Sequence, residues 1–484
     1  MFRRHVFNIV SISWTLLGIS MLLSAAWSFY YGESDLWPIL RSSAITIGLG
    51  IVLFTLTYSK KASDLTPRDG FAIVTIGWIA MAGFCALPMF FATDISYTNA
   101  YFEAMSGLTT TGASILGGAS TVKIESLPHG ILFWRSFTQF IGGMGIIVFS
   151  LAILPMLGMG GVQLFRAEVA GPIADKLTPR VKQTAKLLWY IYVGFVAVES
   201  IILRFVGMSW FDAICHSFGT MATGGFSTKN SSVGEFSGTV QMVLIVFMFL
   251  AATNFSLHYL SFNKRKFEYF KDREFKVYLI LIAIFTILFF VNTSGIYHWS
   301  VESIRYALFT SVSLLTTTGF GTIDFETWPS LSKMLVFFLL FIGGCAGSTT
   351  GGMKIIRSIL ITKYLVSEVR KLLHPKGVFP IRIGKKVIPD EVIKNTLGFY
   401  LFYIFIFVFT SVIYSITGLD VETSLTAAAS AIGNIGPGLG SIGPWENWAH
   451  LSDLAKWVTS FTMLMGRLEI FTVVVLFSRS FWRK

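Results

Sequence analysis

The sequence predicts an all-α polytopic membrane protein: four span–pore-half-helix–span repeats in pseudo-fourfold symmetry around a central pore, preceded by two additional N-terminal spans. Three observations predict it. Of 484 residues, 54% are hydrophobic and 13% charged, the composition of a chain solvated by lipid rather than water. About ten apolar stretches are long enough to cross about 30 Å of hydrocarbon, which takes roughly 20 helical residues. Four connections on one side carry variants of one glycine-centred sequence, fullest in "SLLTTTGFGT" at 313–322.

The spans fall near 6–31, 37–58, 70–93, 129–156, 184–208, 236–262, 276–294, 331–369, 392–417 and 452–478. The first has a basic start, "MFRRHVFNIV", but its apolar run is too long for a signal-peptide core, so it reads as a retained span. Lys and Arg near span ends mark the cytoplasmic side. Arg3/Arg4, Lys60/Lys61/Arg68, the loops 166–186, 264–276 and 370–394, and Arg479/Arg483/Lys484 then all face inward. The other connections carry Glu33, Asp35, Asp94, Glu125, Glu235, Asp324, Glu326, Glu422 and Glu446, so the two sides alternate without conflict and both termini are cytoplasmic. The net charge of +12 is therefore topological and does not call for nucleic acid. Cys85, Cys215 and Cys345 have no CxxC or Cys/His spacing, which argues against a disulfide framework or a zinc site.

Four outward connections each contain a second apolar segment, at 98–110, 211–222, 302–316 and 421–433. Such segments are too short to span and suit re-entrant half-helices, whose polar ends are tolerated only where protein or a water-filled cavity receives them. The units then divide as 1–69 for the extra spans, 70–160, 161–263, 264–375 with a broken second span, and 376–484.

Internal repetition becomes visible when the loops are aligned on Gly112, Gly225, Gly319 and Gly436. Six residues upstream stand Ser106, Gly219, Ser313 and Ser430, all small; four upstream stand Leu108, Met221, Leu315 and Ile432, all aliphatic. Two upstream stand Thr110, Thr223, Thr317 and Asn434, each with a side-chain oxygen. A glycine at one place in four loops permits backbone angles closed to other residues and close approach to a ligand. Four such loops around one axis form a ring of carbonyls, the device by which potassium channels replace an ion's water with a T-x-G-x-G loop from each subunit. Thr317, Thr318, Gly319, Phe320 and Gly321 supply T-T-G-F-G. Ordinary Gly/Thr-rich turns would explain one loop, but four copies in register on one side argue against them. Half-helices entering from outside point their partially negative C-terminal ends at the membrane centre, which favours a cation. These features do not separate K⁺ from Na⁺.

The motifs "FEAMSGLTTTGAS", "HSFGTMATGGFST", "LLTTTGFGT" and "IGNIGPGLG", with the order of spans along nearly the whole chain, resemble the Trk/Ktr/HKT superfamily of cation transporters and within it the TrkH/TrkG type of bacterial potassium-uptake subunit. The resemblance implies a single-chain pore whose selectivity filter binds K⁺, the transported ion, through backbone carbonyls of Thr110, Thr111 and Gly112, Thr223, Gly224 and Gly225, Thr317, Thr318 and Gly319, and Asn434, Ile435 and Gly436. In plant relatives a serine at the first filter glycine goes with sodium transport; here that position is Gly112, which favours potassium. The resemblance further implies the bacterial inner membrane, a homodimer of pores, and a cytosolic TrkA-like nucleotide-binding regulatory subunit, with no nucleotide bound by this chain. The basic loop 370–394 suits such docking and equally suits anionic membrane lipid.

Two further features fit the family. "FFLLFIGGCAGSTTGGMKIIR" interrupts the span 331–369 with Gly343, Gly344, Gly347, Ser348, Thr349, Thr350, Gly351 and Gly352. Each interior glycine costs a helix about 1 kcal/mol against alanine. The resemblance makes this stretch an intramembrane gate loop; the alternative is close helix packing through small residues. Arg467 lies well inside the last span, where a cation costs about 2.5–3.5 kcal/mol on insertion scales and cannot escape by losing its proton. The resemblance puts it in the pore below the filter as a barrier to permeating cations. Its alternatives are snorkelling to the inner surface or a structural partnership with Glu469 or another helix's carbonyl, although Glu469, two residues on, faces elsewhere on an ideal helix.

A rival is a K⁺/H⁺ or K⁺/Na⁺ symporter, which needs a membrane carboxylate, for which Glu103 and Glu199 are available. An enzyme is not expected: HExxH, a G-x-S-x-G nucleophile with a membrane histidine, paired intramembrane aspartates and GxxxxGK[ST] are all absent from the sequence. Arg135, Glu199, Arg204 and Arg305 carry no functional assignment, with Glu199 and Arg204 expected as a structural ion pair. His129, His216, His258 and His298 lack ligand spacing and read as core or interface residues.

Overall fold

A computed structural model describes residues 4–58, 66–118, 122–152, 177–264, 268–384 and 386–483. Arg3, Lys60, Lys61, Lys484, most of the 166–186 loop and the last residues of the 129–156 stretch lie outside the described residues. Helix dominates because the long apolar runs contain few breakers and satisfy every backbone group internally, as lipid requires. The chain begins with α1 (Arg4–Tyr31) and α2 (Leu36–Thr57), then α3 (Pro67–Cys85), which continues into α4 (Leu87–Ala92). A half-helix, α5 (Tyr97–Leu108), and α6 (His129–Ala152) complete the first unit. The second comprises α7 (Leu177–Phe205), half-helix α8 (Trp210–Met221), α9 (Gly238–Ala251) and α10 (Phe255–Lys264). The third comprises α11 (Arg273–Asn292), half-helix α12 (Val301–Leu315), α13 (Ser330–Leu339) and α14 (Ile355–Leu373). The fourth comprises α15 (Asp390–Ile416), half-helix α16 (Val421–Gly433), α17 (Asp453–Arg467) and α18 (Phe471–Val474).

Among the described residues six helical stretches are long and apolar enough to cross a membrane, and two bent pairs pass the same test together. The expectation of about ten spans is thus corrected at two places, and the interruption expected in 331–369 is present. The stretch 236–262 bends by 93° between α9 and α10. The last span bends by 112° after Arg467, at Glu469 and Ile470, whose φ values of 60° and 46° are unfavourable for side chains and especially for a β-branched one. The stretch 331–369 is two helices separated by residues 340–354. Among the described residues a short hairpin, β1 (Arg382–Ile383) with β2 (Lys386–Val387), departs from all-α and packs beside α14 and α15 through Ile356, Leu360, Ile388 and Val392.

The two extra spans have a visible structural task. They pack along one another, with α1 against α6 and α2 against α4, and the turn between them supplies two carboxylates to the first turn of α6. The His129 N–H donates to Glu33 Oε2 at 2.6 Å and the Ile131 N–H to Asp35 Oδ2 at 3.1 Å. Free N–H groups and the positive dipole end make this a favourable place for negative charge.

Candidate functional site: four loops closed into a ring

Each half-helix begins with a side-chain cap on its third N–H. Ser96 accepts from Asn99 at 3.3 Å, Ser209 from Asp212 at 3.0 Å, Ser300 from Ser303 at 3.1 Å and Asp420 from Thr423 at 3.0 Å. The Thr423 hydrogen bonds hold the Asp420 carboxyl below its ordinary value.

Their C-terminal ends share one geometry. Thr110, Thr223, Thr317 and Asn434 take φ of 50°, 53°, 53° and 53°. Threonine is rare there, and such a residue costs on the order of 1–3 kcal/mol. The turn is closed by the N–H of Thr111, Gly224, Thr318 and Ile435 donating to the carbonyls of Ser106, Gly219, Ser313 and Ser430 at 2.9, 2.8, 2.9 and 3.1 Å. Those acceptors are the small residues aligned six positions before the glycine, and the aligned aliphatics Leu108, Met221, Leu315 and Ile432 are fully buried.

The four aligned glycines, Gly112, Gly225, Gly319 and Gly436, have φ of 81°, 77°, 79° and 101° and meet the next loop in strict rotation. A Cβ on Gly112 would lie 2.2 Å from the Gly224 carbonyl oxygen, one on Gly225 2.0 Å from Thr318 O, one on Gly319 1.8 Å from Ile435 O, and one on Gly436 2.7 Å from Thr111 O. Loop 1 contacts loop 2, 2 contacts 3, 3 contacts 4 and 4 returns to 1. All four glycines line one cavity, together with Ser114, Lys229 and Glu446. The amide of Asn434 adds a side-chain link between loops 4 and 1, donating to Thr111 Oγ1 at 3.0 Å.

Residues 340–354 pass beside this ring. Gly343, Gly344, Gly347, Ser348, Thr349, Thr350, Gly351 and Gly352 form a loop that closes on itself, with Gly343 N–H on Met353 O at 2.9 Å and Met353 N–H on Phe341 O at 3.1 Å. It reaches the second and third loops: Thr349 Oγ1 donates to Met221 O at 3.0 Å and Gly351 N–H to Thr317 Oγ1 at 2.8 Å. It also explains the bend between α9 and α10, because Cys345 N–H donates to Ala252 O at 3.0 Å and Thr349 Oγ1 to Ala251 O at 3.2 Å. Carbonyls freed by the break are satisfied by protein. Close contact recurs here, since a Cβ on Gly351 would fall 2.3 Å from Gly433 O. The glycines therefore do not form a packing face on a continuous helix.

Arg467 lies against that loop. It is 2% exposed, donates through Nη1 to Thr349 O at 2.6 Å and through Nη2 to Gly142 O of α6 at 3.3 Å, and forms no ion pair among the described residues. Glu469 faces away and pairs with Arg357 at 2.5 Å, so an Arg467–Glu469 pair does not hold, whereas the alternative of a bond to another helix's carbonyl is present at Gly142 O.

Several expectations change. Glu103, one of the two carboxylates available for symport, is 1% exposed and paired with Arg135 at 2.7 Å. It also accepts from Ser114 Oγ and the Ile115 N–H. Glu199 and Arg204 form no ion pair; Glu199 is buried while Arg204 is exposed and donates to Met208 O at 3.4 Å. Five residues apart, they lie on different helix faces. His216 bonds Ser227 and the Asp212 carbonyl, and His129 pairs with Glu33. No cluster of three or more His, Cys, Asp or Glu suited to a metal occurs among the described residues. Sequence reasoning passed over Gln139, whose side chain contacts loop 2; its signal was an amide in the middle of an apolar span.

The arrangement can be compared with known proteins. The model of the TrkH family, described as a cation transport protein, matches residues 38–484. The Trk system potassium uptake protein TrkH of Halomonas elongata is 39% identical over 99% of each chain. That of Escherichia coli K12 is 37% identical over 99% of each, and TrkG of the same organism 34% over 97% of this chain and 96% of its own. The crystal structure of the potassium transporter TrkH from Vibrio parahaemolyticus superposes with a TM-score of 0.91 at 36% identity, covering 100% of both chains.

Proposed function

Because this chain belongs to the TrkH family of cation transport proteins, we propose that it conducts K⁺ into the cell through the ring of four loops. The family is one of transporters, so the chain is a multi-pass membrane transport protein and not an enzyme. Relatives named as Trk system potassium uptake proteins make K⁺ the ion. Hydrated K⁺ enters from the side of the half-helix N-termini and exchanges water for carbonyls of the Thr110–Gly112, Thr223–Gly225, Thr317–Gly319 and Asn434–Gly436 loops. It then passes the glycine-rich gate loop and Arg467. The observation that carries this reading is the closed rotation of glycine against carbonyl around the four loops. Half-helix dipoles aim their negative ends at the same place.

Uptake is driven by membrane potential, which at about 2.3 kcal/mol per charge per 100 mV supports roughly fifty-fold accumulation. No nucleotide hydrolysis by this chain is required. Arg467, bound to the gate loop at Thr349 O, raises the barrier below the filter and moves with that loop. Coupled symport is the second reading; with Glu103 engaged by Arg135, the carboxylate left to it is the buried Glu199. In the cell the chain sits in the bacterial inner membrane with both termini inside, as a homodimer in contact with lipid, regulated by a TrkA-like cytosolic nucleotide-binding subunit that docks on the basic inner loops. Its four pore units divide near 70–160, 161–263, 264–375 and 376–484.

The test is ⁸⁶Rb⁺ uptake into liposomes holding the purified protein, with K⁺ inside and Na⁺ as competitor. Uptake that Na⁺ barely competes supports the reading. Absence of uptake both with and without the cytosolic subunit overturns it.

A further inference from the structure

Loop 2 departs from its neighbours at one position: where loops 1, 3 and 4 have Thr111, Thr318 and Ile435, it has Gly224. The backbone of Gly224 needs no positive φ, so conformation does not explain the glycine. Contact does. A Cβ there would lie 2.5 Å from the Gln139 amide carbon, and with the Cβ absent the fully buried Gln139 side chain closes on the loop. Its Nε2 donates to the Gly224 carbonyl at 2.7 Å and its Oε1 accepts the Phe226 N–H at 3.1 Å. One turn earlier on α6, Arg135 Nη1 donates to Ser227 O at 3.1 Å, so α6 holds loop 2 at three places, Gly224, Phe226 and Ser227.

The Gly224 carbonyl is the one against which Gly112 packs. Its counterparts, the carbonyls of Thr318, Ile435 and Thr111, take part in none of the hydrogen bonds formed among the described residues. The ring therefore has one carbonyl whose oxygen is shared with an amide donor and three that are not.

We propose that Gln139 is a positioning residue for ion selectivity, acting through the Gly224 carbonyl; this rests on the reading of the four loops as the filter. An N–H donor weakens the field that a carbonyl offers an ion. Selectivity depends on the number and field strength of the coordinating dipoles, and a stronger field favours the smaller, more strongly hydrated ion. Gln139 thus keeps the ring's field low enough to prefer K⁺, and Gly224 exists to admit it.

The experiment is ⁸⁶Rb⁺ uptake by the full chain in liposomes, measuring the ratio of Na⁺ to K⁺ concentrations that halve the flux. That ratio does not depend on how much protein is active, so a loss of folded protein leaves it unmoved. Gln139→Met keeps length and removes the donor; Gln139→Leu removes it with a second apolar side chain. Loss of one hydrogen bond of ordinary strength lowers the ratio about fivefold, and this is the expected result in both variants. A variant with no flux is read by the difference between K⁺- and Na⁺-induced rises in its melting temperature, expected to shrink. Wild-type preference in either readout overturns the role of Gln139. Absence of flux in the wild type, with and without its cytosolic partner, instead removes the filter reading beneath it.

Discussion

Gly319→Ser is the substitution whose consequence can be worked furthest. Gly319 has φ of 79°, where a residue with a Cβ pays roughly 1–2 kcal/mol. Its new Cβ would lie 1.8 Å from Ile435 O, 2.9 Å from Pro437 Cδ and 3.1 Å from Ile435 C. Backbone cannot rotate out of the way as a side-chain tip would, so the Ile435 carbonyl has to retreat by about an ångström or more. Ile435 is fully buried and its N–H is committed to Ser430 O at 3.1 Å, so retreat distorts the loop 4 turn as well. At about 1.4 kcal/mol per factor of ten, the backbone term alone amounts to roughly tenfold in flux or in discrimination. Gly321→Ser is the internal control: its Cβ meets Pro444 Cβ at 3.3 Å and it needs no positive φ. The assay is ⁸⁶Rb⁺ uptake with Na⁺ competition on both variants. Gly319→Ser with flux and competition within about twofold of wild type, or an equal effect from Gly321→Ser, would refute the ring.

Other outcomes are expected. Arg467→Ala should raise the K⁺ rate per pore several-fold, because it removes a buried charge and the donor on Thr349 O; single-pore currents in a monodisperse variant check this, and unchanged flux would sink the pore role. Arg135→Ala strands Glu103 without its cation and should cost about 3–5 kcal/mol, seen as a lowered melting temperature that replacement of both residues by leucine largely restores. Asp420→Ala removes the cap on α16 and should cost about 1 kcal/mol. Since hydrogen bonds from Thr423 lower the Asp420 carboxyl, its stabilisation is present above the unfolded carboxyl value of about 3.9 and lost as pH falls through the lower folded value. The melting-temperature gap between wild type and Asp420→Ala should therefore persist at neutral pH and close on acidification.

The sequence carried the local structure because local structure here has a period and a cap. Each half-helix runs within a residue or two of its apolar segment, since Ser96, Ser209, Ser300 and Asp420 fix the starts and the αL residues Thr110, Thr223, Thr317 and Asn434 fix the ends. The aligned glycines, the small residues six positions before them and the interruption at 340–354 were all legible as spacing. What spacing could not give was partners. Nothing in "MATGGF" says that Gly224 makes room for Gln139, 85 residues earlier, and nothing near Glu103 names Arg135 as its counter-ion. Hydropathy also overcounted unbroken spans, because the residues that repair the break after Ala251 arrive from Cys345 and Thr349, almost a hundred positions on. The order of contact around the ring was likewise decided only in three dimensions. A backbone turn is settled by residues a few positions apart, whereas the field inside a pore is settled by whichever distant donors the packing brings to its carbonyls.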